Sequence, residues 1–575
     1  MKELRACRKQ YTADQDKALH PRETVRLAKE RFSRHDQAIL QKTERIDTGR
    51  LGIPVFLSVC GPQAREVLPT RKQMGKGASA EQAEASALME LVERFSLFSS
   101  LSQPETNHEL TWSEAEKRYG HRLLPLEEIL CSVHEDLEPE RARAMLDLVR
   151  WQFRPAGVPG ADEPAYLPVD WFYALNEFNG SAAGNTLEEA VLQAGCELVE
   201  RHVCALIERH RPVLPTIDHS GLEDPVLKDL LAAYSNQGIQ VLLKDFSLDF
   251  GLPTVGALVY DPATFPEKSE IVLTAGTATS PHKAAVRALT EVAQLAGDFE
   301  TGSCYDPSGL SKPSSLEDCR WLESGPLTAL SDLPDIQEED FLAEIVNLKQ
   351  CLADKGFSWY CLDTTHPDLD IPACYAVVPG FLFRERTERA SLGLFIGRLL
   401  AEQYEPEEAE RGLTFLEGLQ PGAFYLPFYR GMVKLRSGEL QAALEELEQA
   451  EGIQPSPEEQ GLVAFYRGFA HSQAGQWDHC LPHLDRAIAL SPHVHAYYNL
   501  RGVAHFKRED FRQAADDFQR ALSLDSGSAT DLANLGLCHQ RLGNSQEAIS
   551  CLQTSLELDP QLDFASKALQ DLLTS

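Results

Sequence analysis

Basic residues are scarce in this sequence relative to acidic ones. Its 575 residues include 54 Lys and Arg against 87 Asp and Glu, which gives a formal net charge of −33. Because nucleic acids and anionic membranes repel such a charge, the composition argues against nonspecific nucleic-acid binding and against docking on a membrane. Solubility alone is a sufficient reason for the excess of acidic residues.

Long apolar runs are absent as well. No stretch reaches the roughly 18 consecutive apolar residues of a membrane span. The first ten residues, MKELRACRKQ, lack the apolar core of a signal peptide. We therefore expect a cytoplasmic protein without a membrane segment.

Cysteine pairs of the C-x-x-C type are missing although the chain has 13 cysteines. Four of them, Cys196, Cys204, Cys361 and Cys374, lie in apolar runs and are typical of small buried side chains. A structural zinc site is therefore not expected, whereas a catalytic thiol stays an open alternative.

A P-loop is also lacking. Residues 74–77, MGKG, superficially resemble one, but Thr70 stands where the first glycine is required. Gly77 stands where a Ser or Thr would hold Mg²⁺. Any nucleotide site must therefore be built differently.

Two acidic motifs about a hundred residues apart are the strongest signal in the chain. They are SALMELVER at residues 86–94 and NTLEEAVLQAGCELVER at residues 185–201. On a helix, the acidic side chains of each motif share one face. These faces carry Ser86, Glu90 and Glu93 in the first motif, and Glu189, Gln193, Glu197 and Glu200, bordered by Arg201, in the second.

Carboxylates crowded this closely repel one another and are costly to desolvate without a cation. Hard oxygen ligands gathered from two helices suit Mg²⁺, which commonly bridges to nucleotide phosphates. For a single motif, a solvated helix face is the simpler interpretation. Two copies, each preceded by a glycine-rich turn at residues 75–79 or 179–186, favour a nucleotide site instead.

At these residues the chain resembles the YcaO family, whose domain binds ATP and Mg²⁺ without a P-loop. The family motifs S-x3-E-x2-E-R and N-x3-E-x7-E-x2-E-R both match without a gap. The surrounding sequence agrees too, including the helix at residues 287–294 and the turn at residues 363–368. The resemblance covers about residues 15–390.

The resemblance implies two sets of site residues and assigns no catalytic acid, base or nucleophile. The implied ATP-binding residues are Lys17, Thr24, Ser86, Glu93, Arg94, Asn185, Glu200, Arg201, Arg287 and Glu291. The implied Mg²⁺ ligands are Glu90, Glu93, Glu189, Glu197 and Glu200. Arg94, Arg201 and Arg287 are the candidates for contacts to phosphate.

Short β-like runs alternate with amphipathic helices up to about residue 390, which predicts a mixed α/β fold with a layered sheet. The candidate strands are residues 53–59, 241–244, 255–260, 271–275, 359–362 and 374–378. We expect a YcaO-like catalytic domain over residues 1–395 and connecting helices over residues 396–420.

The C-terminal third is periodic. Gly431, Gly468, Gly502 and Gly536 are 37, 34 and 34 residues apart, with an insertion near residues 455–459. A 34-residue period of this kind resembles tetratricopeptide repeats (TPR), which stack helix pairs into an all-α solenoid. We expect residues 421–575 to form the repeats and a capping helix that offer a concave surface to a protein partner. A purely structural role, in stability or homodimer formation, is the alternative.

The resemblance implies ATP- and Mg²⁺-dependent phosphorylation of a backbone amide oxygen in a peptide or protein substrate. A neighbouring Cys, Ser or Thr then yields an azoline, and external sulfur, from a sulfur-delivery partner, yields a thioamide. Azoline-forming relatives commonly end in P-x-P-x-P, whereas this chain ends LQDLLTS. That difference favours thioamide formation or an accessory role in sulfur-linked, methylthiolation-type protein modification. A non-catalytic nucleotide-binding TPR adaptor is the second class, and a missing acidic ligand would support it.

Overall fold

The computed structural model describes residues 3–35, 37–102, 109–160, 163–302, 305, 309–384, 389–525 and 527–574. The chain forms two compact units. The first comprises residues 1–143 and 150–391, and the second comprises residues 144–149 and 392–575. Among the described residues, no helix combines the length and apolar character needed to cross a membrane.

The part of the chain before residue 392 mixes helices and strands, as the alternating pattern predicts. Its helices are α1 Pro21–Ser33, α2 Pro62–Val67, α3 Ala80–Ser102, α4 Trp112–Tyr119, α5 Leu126–Ser132, α6 Pro139–Leu146, α7 Val169–Asn176, α8 Leu187–His210, α9 Pro225–Asn236, α10 Pro281–Ala296, α11 Arg320–Glu323 and α12 Phe341–Asp354.

The strands form four described sheets. The strands are β1 Leu40–Arg45, β2 Val55–Cys60, β3 Lys72–Lys76, β4 Glu109–Leu110, β5 Trp151–Ala156, β6 Ala165–Pro168, β7 Ser181–Ala183, β8 Thr216–Asp218, β9 Gln240–Asp245, β10 Thr254–Tyr260, β11 Val272–Thr277, β12 Leu327–Ala329, β13 Tyr360–Asp363 and β14 Ala373–Val377. The orders are β1-β2-β3, β11-β10-β9-β8-β12, β13-β14-β7 and β4-β5-β6. Neighbouring strands are antiparallel except β12 and β8.

All six strands predicted from the sequence are present, with ends shifted by one or two residues. They correspond to β2, β9, β10, β11, β13 and β14. Strand β10 is buried over nearly its whole length, which is why its run TVGALVY is continuously apolar apart from its first residue.

Three helices carry ten of the thirteen predicted site residues, and each buries its other face in a separate apolar cluster. Helix α3 contributes Leu88, Leu91, Val92 and Phe95 to a cluster with Cys60 of β2. Helix α8 packs in a cluster shared with β14 and α12, and α10 in one shared with β10 and β11. The apolar faces therefore fix the helices, while their polar faces stay free for the site.

Gly75 has a different role from the one predicted. A glycine-rich turn before a nucleotide site would let backbone N–H groups approach an anion, but Gly75 lies within β3. A Cβ atom there would stand 2.0 Å from the backbone N of Ala87 on α3. Gly75 thus permits close packing of β3 on α3, whereas Lys76, Gly77 and Ala78 of this turn line the cavity described below.

The second unit is helical and follows the predicted period. Its helices after residue 391 are α13 Leu392–Gln403, α14 Pro406–Leu419, α15 Leu426–Arg436, α16 Leu440–Glu451, α17 Pro457–Gln473, α18 Trp477–Leu490, α19 His495–Lys507, α20 Phe511–Leu524, α21 Ala529–Leu542, α22 Ser545–Leu558 and α23 Asp563–Thr574. The predicted insertion lengthens α17 to 17 residues, against 13 in α19.

The repeated glycines are packing positions between the two helices of each repeat. A Cβ atom on Gly431, Gly468, Gly502 or Gly536 would stand 2.7–3.0 Å from a large apolar side chain of the following helix. Those side chains are Leu447, Leu484, Phe518 and Leu552 in turn. The period in the sequence is therefore a period of helix contacts.

Candidate functional site

A cavity of about 410 Å³ lies where α3, α8 and α10 meet the N-terminal residues and the end of β3. This volume is within the range of roughly 300–1,000 Å³ that is usual for small-molecule sites. Seven acidic side chains, six of them glutamates, and five basic side chains line it. The wall is thus strongly charged, with a small excess of acidic groups.

Helix α3 supplies the first motif. Ser86, Glu90, Glu93 and Arg94 all line the cavity, as their shared helix face predicts. Arg94 lies 3.3 Å from the Glu93 carboxylate and 3.7 Å from that of Glu90. The Glu93 carboxylate also accepts a hydrogen bond of 2.6 Å from the hydroxyl of Ser181. One arginine therefore joins both carboxylates of this motif.

Burial and like charges shift the titration of two carboxyl groups that come from different motifs. Burial raises the pKa of Glu93 to about 8, with further contributions from Glu197 and Glu90, although Arg94 opposes the shift. Burial likewise raises the pKa of Glu197, against the effects of Arg201 and Arg94. The two motifs therefore interact electrostatically across the cavity, which their sequence separation alone does not reveal.

Glu189 of α8 is the centre of a second group. Its carboxylate lies 3.3 Å from the ammonium of Lys17 and accepts a 2.9 Å hydrogen bond from the backbone N–H of Ala18. The Asn185 amide donates to the same carboxylate at 3.0 Å and accepts from the Thr24 hydroxyl at 2.9 Å. The structure thus connects Lys17 and Thr24, both near the N-terminus, to the start of the second motif.

The remaining residues of the second motif face α10. Glu200 accepts a 2.8 Å hydrogen bond from the backbone N–H of Thr277 at the end of β11. Arg201 lies 3.9 Å from Glu197, one helical turn before it. Arg287 of α10 donates to the side-chain oxygen of Gln193 at 3.0 Å. Hence α10 provides the third wall of the cavity.

Lys76 is a cavity residue that was not predicted as part of the site. It forms an ion pair with Glu291, which joins β3 to α10. Burial lowers the pKa of Lys76 to about 8, and Arg287 lowers it further. Its position within the glycine-rich turn at residues 75–79 is the one signal for it in the sequence.

Unpaired donors point to an anionic ligand. Among the described residues, the buried Nε atoms of Arg201 and Arg287 have no hydrogen-bond partner, and both side chains line the cavity. A buried donor without a partner is costly unless a ligand satisfies it. These atoms fit the phosphate oxygens of ATP, which arginine binds well.

The carboxylates fit Mg²⁺ in their chemistry, since oxygen ligands are what Mg²⁺ prefers. Within the described ranges, however, no three His, Cys, Asp or Glu side chains are already arranged around a common point to hold a metal. The glutamates are instead held by Arg94, Arg201, Lys17 and backbone donors. Their assignment as metal ligands stays a prediction.

All thirteen residues predicted for the site line this one cavity, although their individual roles are untested. The residues that the sequence did not assign to it include Lys76, Gln82, Phe178 and Gln193. Phe178 has its ring 4.0 Å from the guanidinium of Arg94, a contact that no spacing rule predicts. Of the described residues that line the cavity, none is a cysteine.

Comparison with known proteins shows which families the chain is similar to. The model of the YcaO cyclodehydratase family, described as ATP- and Mg²⁺-binding, matches residues 74–382. The tetratricopeptide repeat model matches residues 495–528 and 529–562. An uncharacterized protein of Methanothermobacter thermautotrophicus is 27% identical over 383 residues, which cover 63% of this chain and 94% of that protein.

Two solved structures are also similar. One is a heterocyclase in complex with substrate and cofactor, with a TM-score of 0.55 and 22% identity. The match covers 68% of this chain and only 55% of the heterocyclase. The other is YcaO from Methanopyrus kandleri bound with AMPPCP and Mg²⁺, with a TM-score of 0.48 and 23% identity over 65% of this chain and 94% of that one.

The family model spans more than half of the chain and includes both acidic motifs and the helix with Arg287. The heterocyclase shows the same fold for this part. The chain belongs to the YcaO family of ATP- and Mg²⁺-binding cyclodehydratases, and it carries tetratricopeptide repeats in its C-terminal region.

Proposed function

We propose that this protein uses ATP and Mg²⁺ to phosphorylate a backbone amide oxygen in a peptide or protein, leading to a thioamide or an azoline. The observation that carries the proposal is the convergence of both acidic motifs, Lys17 and Arg287 on one cavity. Such a mixture of carboxylates and basic side chains suits a nucleoside triphosphate with its metal, and it suits few other ligands.

The proposed roles are those that the family resemblance implies for residues of this cavity. Glu90, Glu93, Glu189, Glu197 and Glu200 hold Mg²⁺, and Arg94, Arg201 and Arg287 bind phosphate oxygens. The nucleotide's further contacts in this scheme are Lys17, Thr24, Ser86, Asn185 and Glu291. Bound Mg²⁺ would offset the negative charge of the phosphates and of the carboxylates around it.

The chemistry needs activation because an amide oxygen is a poor leaving group. A nucleophile, either a Cys, Ser or Thr side chain of the substrate or an external sulfur donor, adds to the amide carbon and loses its proton. The amide oxygen takes the γ-phosphoryl group of ATP, ADP is released, and the oxygen then departs as phosphate. In the first case the amide N–H then loses its proton, and the C=N bond of an azoline ring forms. In the second case the donor supplies sulfur at the oxidation level of sulfide, which loses its second proton, and the C=S bond of a thioamide forms.

We assign this reaction to residues 1–395, with helices 396–420 as a connection and residues 421–575 as the recruiting array. Helix pairs that stack into a solenoid offer an extended surface for peptides or proteins. The partners in this scheme are a peptide or protein substrate and, for thioamide formation, a sulfur-delivery protein. A cytosolic location is part of the same proposal.

Calorimetric titration with ATP tests the nucleotide site. Heat of binding is expected with Mg²⁺ and little heat after EDTA has removed divalent cations. Tight ATP binding that is unchanged by EDTA would contradict the metal assignment, and absence of binding under both conditions would contradict the ATP site. Basal ATP hydrolysis is not the readout, because turnover requires the substrate.

A further inference from the structure

Residues 10–17 form a closed loop at one end of the cavity, called the N-terminal loop below. The backbone N–H of Gln10 donates to the Lys17 carbonyl at 3.0 Å, and the Lys17 N–H donates to the Tyr11 carbonyl at 2.9 Å. Asp14, Gln15 and Lys17 of this loop line the cavity. A short irregular segment therefore forms part of the cavity wall.

Four buried charged side chains anchor the base of this loop. The Lys9 ammonium lies 2.8 Å from the Asp16 carboxylate and 2.5 Å from that of Glu344. Lys283 pairs with the other oxygen of Asp16. The four side chains are 0–10% exposed, and their charges sum to zero if all are ionised. Lys9, Asp16, Lys283 and Glu344 are called the buried charge network below.

The network connects the loop to a helix that also carries cavity residues. Lys283 is in the first turn of α10, which bears Arg287 and Glu291 one and two turns later. Glu344 belongs to α12, where it also accepts a 3.1 Å hydrogen bond from the backbone N–H of Glu338. Asp16 directly precedes Lys17, so a shift of Asp16 would move the Lys17 side chain.

Buried ion pairs add little stability compared with apolar side chains of similar size, because desolvation offsets their attraction. They do require a fixed register, since a displaced partner leaves an uncompensated buried charge. Contacts between apolar side chains tolerate a shift of one segment against another far better than buried ion pairs do. The four charges at the base of this eight-residue loop thus contribute more to holding the loop in one position than to stabilising the fold.

Resting on the proposed function, we propose that Lys9, Asp16, Lys283 and Glu344 are positioning residues for the ATP site. They hold the N-terminal loop so that Lys17 and the Ala18 N–H reach Glu189. Those contacts are 3.3 Å and 2.9 Å. In this way the network fixes one carboxylate that the proposal assigns to Mg²⁺, without touching the nucleotide itself.

The test is a double-mutant cycle in the full chain. Asp16→Asn with Lys283→Met removes one pair of the network and leaves the net charge unchanged. Lys17→Met removes the side chain that the network is proposed to position. Each change alone should weaken Mg²⁺–ATP binding in calorimetry between about 10-fold and 100-fold, because a small misplacement at a site is costly. Combined, they should weaken binding by clearly less than the product of the two effects.

The matched control is Glu317→Gln with Arg320→Met, an exposed pair 2.8 Å apart. Like the network variant, it removes one acidic and one basic side chain. It should leave ATP affinity unchanged. Independent, multiplicative effects of the network pair and Lys17→Met would overturn the positioning role, as would a network variant that binds ATP like the parent.

Hydrogen exchange without nucleotide provides a readout that does not depend on ATP. In the Asp16→Asn, Lys283→Met variant, the amides of Lys17 and Ala18 should exchange faster, while those of α3 keep the parent rate. Unchanged exchange at Lys17 and Ala18 would overturn the inference even if the parent bound no ATP. Failure of the parent to bind ATP would instead contradict the proposed function, so the two failures are distinguishable.

Discussion

At the scale of single residues, opposite charges alternate around the cavity wall. Arg94 lies 3.3 Å from Glu93, Lys17 lies 3.3 Å from Glu189, and Glu200 accepts a backbone hydrogen bond. The raised pKa of Glu93 nevertheless shows that burial and like charges outweigh these partners there. Like charges brought together at a site usually destabilise the protein in exchange for ligand binding.

We predict that Glu93→Gln and Glu200→Gln each abolish Mg²⁺–ATP binding while the protein stays folded. The substitution keeps the size of the side chain but removes its ability to ionise and so to hold Mg²⁺. Because crowded carboxylates repel one another, the melting temperature should stay the same or rise. Calorimetry and thermal unfolding by circular dichroism measure the two effects.

Glu208→Gln is the control for this pair of variants. Glu208 is on α8, the helix of Glu200, and its carboxylate accepts a 2.7 Å hydrogen bond from the backbone N–H of Ser311, outside the cavity wall. This variant should bind ATP as the parent does. If Glu93→Gln and Glu200→Gln also bound ATP with parental affinity, the assignment of the two motifs to a nucleotide site would be wrong.

The sequence predicted the cavity residues that recur at helical spacing. Side chains that are three or four residues apart lie on one face of a helix. The spacing alone therefore places Glu90 beside Glu93, and Glu197 beside Glu200. Lys76 and Phe178 could not be found in this way, because a strand end and an irregular segment bring them to the cavity. Their places depend on tertiary packing.

At the scale of elements, the predicted strands were those with apolar side chains to bury. Strand β1, LQKTER, was not predicted because none of its residues is fully buried. Strand β5, WQFRPA, contains a proline and the buried Arg154, whose guanidinium donates to the Ser100 carbonyl at 2.6 Å. Strand β1 lacks the alternation of apolar and polar residues on which strand prediction depends, whereas β5 has it over residues 151–154 and is interrupted by its proline.

The glycine of each repeat gives an element-scale prediction. Gly536→Leu should destabilise its repeat by about 1–3 kcal/mol, because the added side chain overpacks the contact with Leu552. Hydrogen exchange of the amides in α21 and α22 should become faster, as measured by mass spectrometry.

Gly418→Leu is the control, since it makes the same change on α14. Apart from its chain neighbours and the nearby backbone of α14 itself, no atom of the described chain lies within 4 Å of the position its Cβ would take. Its effect on stability should stay within about 1 kcal/mol, the propensity difference between Gly and Leu. Equal destabilisation by the two variants would show that the repeated glycines are not helix-packing positions.

At the scale of the whole molecule, the two units divide the proposed work. The charged cavity lies entirely within the first unit, and the repeated helix pairs lie entirely within the second. Binding of the nucleotide and recruitment of the target are therefore separable in principle, and variants of the repeats should change only the second.

We predict that Lys507→Ala, Asn534→Ala and Gln540→Ala together impair target modification without changing Mg²⁺–ATP affinity. These polar residues are exposed or half-buried on α19 and α21, the first helices of two repeats. The circular-dichroism spectrum should be unchanged. The control is Gln513→Ala, Gln519→Ala and Gln553→Ala on the second helices α20 and α22, where all three side chains are exposed. Parental modification of the native target by the first variant would assign the array a structural role.

The most direct test of the central claim compares cellular proteins by mass spectrometry in cells that carry the parent chain or its Glu200→Gln variant. Amide activation predicts at least one peptide that has exchanged an amide oxygen for sulfur, or has lost one water, in the parent cells alone. The same modified peptides in both cell lines, or none in either, would contradict the claim that this protein activates a peptide amide.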